Sequence, residues 1–522
     1  MELVTKNVHL NKQKGKVVTQ ITLENDFNVS DQKPDVDDII TDNHYIKVDA
    51  LKISNGRAEI NGRLSVQALY MSAESDQPVW EMDMEIPFME PVNMDMLTDG
   101  DTVRADYEID NVKVTVINSR KISVKAVVTF TLEAESIYDM EIAVEPDEDE
   151  AAEYMKKQLK IMQIVMKKRD VFRIKEEVDV SGGKPNIKNI LWKNIGIRNC
   201  QTKLMEDKVS LSGELVLFII YLPEEENMPV QWIDSVINFS GIIDAEGCNE
   251  EMIHDINVSL AEMSVDIKPD YDGEQRIFEV DAVLNLDMRI YEEDSIDILD
   301  DVYSPSIDLI PERKIASGES LVMKNSSKCR VSEKVSVDTG KGRILQICNT
   351  FGKVCIDNIV PDEDGLNIDG AVEVNVLYIS GDDNMPFCSS QAVIPFSHKA
   401  DIKGMDMDMV YSVKHSLEQL SSIMTSENEV EVKAVISMDI TVLNKVDESV
   451  ITSVSEQEID INKIKDMPGI IIYNVNKGDS LWSIAKKFHT SVDSLKSIND
   501  IHGDGGNSGV RAGESILVIK SV

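Results

Sequence analysis

One spaced pattern constrains this chain more than any other: Gly, seven residues, Tyr, seven residues, Pro, nine residues, Phe, found three times without a gap. The copies are Gly62-Tyr70-Pro78-Phe88, Gly213-Tyr221-Pro229-Phe239 and Gly370-Tyr378-Pro386-Phe396. Offsets of 151 and then 157 residues relate them, and the same offsets carry Lys33-Pro34 onto Lys184-Pro185 and onto Lys341-Gly342. Downstream, Val124-Lys125-Ala126-Val127, Val280-Asp281-Ala282-Val283 and Val432-Lys433-Ala434-Val435 correspond with small length differences. Each unit spans about 130 to 150 residues, far more than a solenoid repeat of ~20 to 50, so each copy can hold its own core. A chain of 522 residues also exceeds the ~250 to 300 at which single cores stop growing. The pattern therefore implies a triplicated domain.

Within a copy the apolar residues alternate. Ala58, Ile60, Gly62, Leu64, Val66, Ala68 and Tyr70 fall on one face and Arg57, Glu59, Asn61, Arg63, Ser65 and Gln67 on the other, the period of a strand with one buried side. Residues 209–221 and 366–378 repeat that face, and polar, turn-rich residues 72–77 and 381–384 follow, as in strand, hairpin loop, strand. A glycine inside such a strand predicts a bulge or a bend, since a strand gains nothing else from losing a side chain. The shared Tyr, Pro and Phe read as core and turn residues rather than as a binding site.

The acidic residues 145–150 precede residues 151–167, whose composition predicts a helix and marks the first boundary. A second boundary lies near 293–311, and a third runs from 444 to 468, ending in Met467-Pro468-Gly469, a turn signal. The expected domains are 1–140, 151–296 and 312–450, each all-β and sandwich or barrel-like, followed by a small β-α-α-β unit over 470–522.

That last unit begins Tyr473-x-Val475-x-x-Gly478-Asp479-Ser480-Leu481-Trp482-x-Ile484-Ala485 and continues with Val492-x-x-Leu495-x-x-x-Asn499 and Gly513-Glu514-x-Ile516-Leu517-x-Ile519. Asp479 is placed to N-cap a helix after the freely turning Gly478. On that helix Leu481, Ile484, Ala485 and Phe488 form one stripe, and Trp482, about 100° away, is expected to be partly exposed. Ser491 is placed to cap a second helix that ends near Asn499, after which 516–519 pairs back on 472–475. These residues resemble a LysM module. The resemblance implies a shallow groove for N-acetylglucosamine polymers, lined here by Gly478, Asp479, Ser480, Trp482 and Lys486 on one side and by residues from Asn499 and Ile501 to Gly506 on the other. Trp482 either covers the module's edge or anchors a partner, with Lys486 on the rim. The second loop, 500–509, is richer in glycine than the family's usual loop and lacks its common Asn-Pro step, which argues against glycan.

Charge narrows the partners. Lys and Arg number 53 against 94 Asp and Glu, a net charge of −41, yet residues 470–522 hold six basic and five acidic side chains, so the remainder carries −42. Phosphate backbones and anionic lipid head groups repel such a body, which excludes nucleic acid and direct membrane insertion as expected partners. The longest strongly apolar run, 215–222, is far below the ~20 residues of a spanning helix. The first residues lack the basic start and apolar stretch of a secretory leader, and six cysteines without a CxxC pair suit a reducing cytosol.

Nothing catalytic stands out. Ser181-Gly182-Gly183-Lys184-Pro185 lacks the earlier glycine of a phosphate loop and has Pro where Ser or Thr belongs. Seven scattered histidines form no zinc spacing, no cofactor or metal is expected, and the many carboxylates read as a solvated surface. Methionines alternating with aspartates, as at Met82-Asp83-Met84, Met94-Asp95-Met96 and over 405–409, suit either core-facing strands or a pliable surface.

Three such repeats before one C-terminal LysM resemble the SPOCS-repeat family of spore-coat morphogenetic proteins of endospore-forming bacteria. The resemblance implies a non-enzymatic scaffold in the mother-cell cytoplasm, at the forespore surface. It implies, as partner of the LysM, the coat-basement ATPase, stage IV sporulation protein A, with further coat proteins beside it. The alternative is a glycan-binding protein acting at wall or cortex through the same groove. A hydrolase built on the repeats is the weakest alternative, because no nucleophile, base or metal set recurs.

Overall fold

The structure, a computed structural model, describes all residues except 74, 76, 99, 148–151, 226–227, 338–342, 382–385, 459–468, 502–508 and 520–522. Each repeat contributes six antiparallel strands. The first has β1 (Leu3–Asn28), β2 (Asp38–Ser54), β3 (Arg57–Met71), β4 (Val79–Asn93), β5 (Thr102–Asn118) and β6 (Lys121–Pro146). The second has β7 (Glu153–Asp179), β8 (Ile187–Met205), β9 (Lys208–Pro223), β10 (Gln231–Asp244), β11 (Ile253–Pro269) and β12 (Gln275–Tyr303). The third has β13 (Asp308–Ser336), β14 (Ile344–Asp362), β15 (Gly365–Ser380), β16 (Phe387–Asp401), β17 (Val410–Ser426) and β18 (Glu429–Gln457).

In every repeat the second to fourth strands form one three-stranded meander, and the first, fifth and sixth form the other sheet. The inner faces of the two pack on one another, with Ile60, Leu64 and Tyr70 meeting Val124, Val128 and Phe130 in the first copy. The first strand of each copy pairs with its last almost end to end, from Leu3↔Pro146 to Asn28↔Lys121 in the first. Chain entry and exit therefore lie side by side, which lets copies follow one another with short links. The sheets of the first two repeats also touch through Leu10↔Gln163.

The repeated motif has a contact explanation. The shared glycine sits directly across from the shared phenylalanine, as Gly62↔Phe88, Gly213↔Phe239 and Gly370↔Phe396. The register shift lies in the other neighbouring strand, between Val48 and Ala50, Arg198 and Gln201, and Ile356 and Asn358. The glycine is thus not itself the bulge; it makes room for a bulge on one side and a ring on the other. A Cβ on Gly62 would stand 2.5 Å from the Lys47 carbonyl oxygen and 2.8 Å from the Phe88 ring. The shared tyrosines are fully buried. In the first two copies the hydroxyl donates to the carbonyl of the proline 36 residues earlier, Tyr70 to Pro34 at 3.4 Å and Tyr221 to Pro185 at 3.2 Å. Burial lifts both phenols to about 12. Lys341-Gly342 and most of the 381–384 turn lie outside the described residues.

Two expectations change here. Residues 153–167 are strand, the start of β7, because this segment pairs with β12 from Glu153↔Tyr303 onward, and a full ladder of tertiary hydrogen bonds outweighs the helix propensity of its Met, Lys and Gln. The outward face of the central strands is also not uniformly wet. Leu69, Trp192, Phe218, Ile220, Cys348 and Leu377, drawn from all three repeats, form a shared core, with the rings of Trp192 and Phe351 5.2 Å apart. This explains the unbroken apolar run at 215–222, which is buried on both faces. A second shared core joins Val8, Leu10, Leu159, Ile161, Ile298, Ala316 and Val450. The three repeats are joined through apolar cores that none of them completes alone.

Candidate functional site

The C-terminal module consists of β19 (Ile470–Asn474), α1 (Leu481–Lys487), α2 (Val492–Ile498) and β20 (Ser515–Ile519). The two strands pair antiparallel from Ile470↔Ile519 to Asn474↔Ser515. Its interior is its own: Val475, Leu481, Ile484, Ala485, Val492, Leu495, Ile516 and Val518 are buried together.

Local chemistry builds the first loop. Gly478 has φ +96°, a left-handed conformation that favours glycine, and a Cβ there would meet open space. Ser480, not Asp479, is the N-cap of α1: its hydroxyl accepts from the Ser483 N–H at 3.1 Å, and the Ser483 hydroxyl accepts from the Ser480 N–H at 2.9 Å. Asp479 instead accepts from the Asn476 N–H and the Tyr473 hydroxyl, both at 2.8 Å, and these bonds hold its carboxyl below the usual range. It ties the end of β19 to the turn, one residue too early to cap. Ser491 caps α2 as its sequence position implies.

On the other side, Asn499 is occupied structurally. Its amide donates to the Leu495 and Leu517 carbonyls at 2.9 and 2.7 Å and its side-chain oxygen accepts from the Leu517 N–H at 2.7 Å, pinning the end of α2 to β20. Ile501 packs against the module's core. Residues 502–506 of the expected second wall lie outside the described residues.

Trp482 departs most from expectation. Only 8% of it is exposed, because α1 lies against the end of β12 in the second repeat. Its indole N–H donates to Asp301 Oδ2 at 2.9 Å, and its ring stands 4.8 Å from that of Tyr303, edge to face. Lys486 reaches the same carboxylate, 2.7 and 2.8 Å from its two oxygens. Burial pushes the Asp301 carboxyl upward, but these two donors outweigh it and leave it below its ordinary range. The Tyr303 hydroxyl donates to the Thr490 carbonyl at 3.0 Å. The face expected to be partly exposed is covered by the protein's own second repeat.

With this geometry in hand, family comparison assigns both parts of the chain. The profile described as SipL, SPOCS domain matches residues 35–117, 186–268 and 343–437, together half of the chain, and the LysM domain profile matches 473–518. The chain belongs to the SipL family. Each SPOCS match begins just before the second strand of a repeat; the structure adds the long first strand to every one, all of the sixth to the first two and most of it to the third. Neither a curated protein nor a solved structure matches the chain.

The seven groove residues of this LysM therefore divide. Gly478, Asp479 and Ser480 form the first loop, Trp482 and Lys486 converge on Asp301, and Asn499 and Ile501 stabilise the module from within. Met155, Asp301 and Tyr303, which complete the contact from the SPOCS side, carried no signal in the sequence. They lie 31 or more positions outside the matched segments and next to the domain boundaries. Among the described residues no helix is long and apolar enough to cross a membrane. SPOCS and LysM are families of non-catalytic domains.

Proposed function

We propose that this protein is a non-enzymatic scaffold of the spore coat. From the mother-cell cytoplasm it tethers the coat-basement ATPase, stage IV sporulation protein A, around the forespore through its LysM module. The observation that carries the reading is the combination itself, three SPOCS repeats joined by shared cores and one LysM docked at their edge. Such a body offers a fixed platform, and its acidic surface favours protein partners over nucleic acid or anionic lipid. Further coat proteins would use the outer faces of the repeats.

The test is capture of purified ATPase by the immobilised full chain and by a chain ending at residue 457, with circular dichroism to establish that the shorter chain keeps its strands. Capture by the full chain and its loss without the LysM support the reading. Equal capture by both chains refutes the LysM as the contact.

A further inference from the structure

Three features of the LysM contact with the second repeat belong together. The first is convergence: one carboxylate, Asp301, takes both the indole N–H of Trp482 and the ammonium of Lys486. The second is independence: all but one of the buried residues in the module's core come from the module itself, while among the described residues the second repeat adds the buried Tyr303 and the partly buried Met155. On leaving, the module would give up the Tyr303 ring and keep the packing of Val475, Leu481, Ile484, Ala485, Val492, Leu495, Ile516 and Val518. The third is internal opposition: Glu153 lies near Asp493 across the same contact, and burial followed by that like charge pushes its carboxyl upward. The like charge at one end of the contact opposes the attraction at the other.

We infer that the LysM is latched onto the second repeat with Asp301 as the catch, and that a partner reaches the Trp482 face only when the module undocks. This rests on the LysM-capture reading above and adds its regulation. The docked state hides the face that carries the module's only tryptophan, so intramolecular docking and partner binding through that face exclude one another. A protein whose competent state is a minor one shows an apparent affinity reduced by that fraction, and releasing the catch removes the reduction. Asp301 is a positioning residue here, acting through the module it holds.

The experiment uses the full chain labelled with 5-fluorotryptophan, which gives four fluorine resonances, one for each Trp. The Trp482 resonance is assigned from W482F. In Asp301→Ala it should move to a solvent-exposed position and gain a solvent isotope shift, while the other three stay. Asp301→Asn, which keeps an acceptor for the indole but loses the ion pair, should lie between. Purified ATPase should bind Asp301→Ala about tenfold more tightly than the unaltered chain, the factor expected for a nine-to-one docked population. A Trp482 resonance unmoved in Asp301→Ala overturns the catch. A moved resonance with unchanged or weaker ATPase binding overturns the latch while leaving LysM capture standing. If no chain binds the ATPase, the capture reading falls, and the fluorine spectrum still decides whether Asp301 holds the module.

Discussion

Substituting alanine at the three equivalent glycines, Gly62, Gly213 and Gly370, repeats one perturbation in three related sites whose neighbours differ. At Gly62 the new Cβ would stand 2.5 Å from the backbone oxygen of Lys47, and at Gly370 it meets the Cys355 carbonyl oxygen in the same way. Neither oxygen can move without disturbing the bulged strand that carries it. At Gly213 the near atoms are the Phe239 ring, at 2.6 Å, and the Cys200 Cα at a tight 3.3 Å, so a ring rotation with a slight backbone shift relieves most of the clash. Overpacking a filled core costs about 1 to 3 kcal/mol. Loss of unfolded-state freedom on replacing glycine by alanine returns about 0.4 to 1 kcal/mol where the backbone is compatible. We expect net losses of roughly 1 to 2 kcal/mol for Gly62→Ala and Gly370→Ala and of ~0 to 1 kcal/mol for Gly213→Ala. Urea unfolding with unchanged m-values is the assay. A Gly213 loss equal to or larger than the other two, or three neutral variants, would refute the claim that the glycine exists to admit a bulge and a ring.

Other outcomes follow from single contacts. Phe239→Ala should cost about 3 to 5 kcal/mol by urea unfolding, since it empties a filled core position and uncovers Gly213. Glu135→Gln weakens the partners of Arg289 and Lys167 at the junction of the first two repeats, where Glu135 and Arg289 are both buried; we expect a loss of about 3 kcal/mol in the same assay. Burial, then the nearby Glu135 and Glu133, push the Glu319 carboxyl up to about 7. The folded protein therefore holds a proton that the unfolded chain releases near pH 4.5, and this stability component is lost as pH rises through about 7. Glu319→Gln should flatten the fall in urea midpoint between pH 5 and 8.

The alternation of residues 58–70, the hairpin turns and the three-fold offset were all legible, because a half-buried strand writes its period directly into the sequence. The cap of α1 was misplaced by one residue: Asp479 and Ser480 are both good caps, and only the hydrogen bonds to Tyr473 and Asn476 decide which is free. Residues 153–167 read as helix because their long, unbranched side chains suit one; the partner strand that overrides them lies more than a hundred residues away. The burial of Trp482 was illegible for the same reason, since Asp301 and Tyr303 belong to another domain. Trp192, Phe218 and Phe351 could have been suspected from the break in alternation that the double-sided burial at 215–222 produces.

What the LysM binds determines how the whole protein works. Calorimetric titration of purified stage IV sporulation protein A into the full chain, with and without excess chitin oligomer, decides it. We predict saturable heat with the ATPase, unchanged by the oligomer, and no saturable heat with the oligomer alone. Saturable oligomer binding together with no ATPase binding would contradict the account and make the module a glycan receptor.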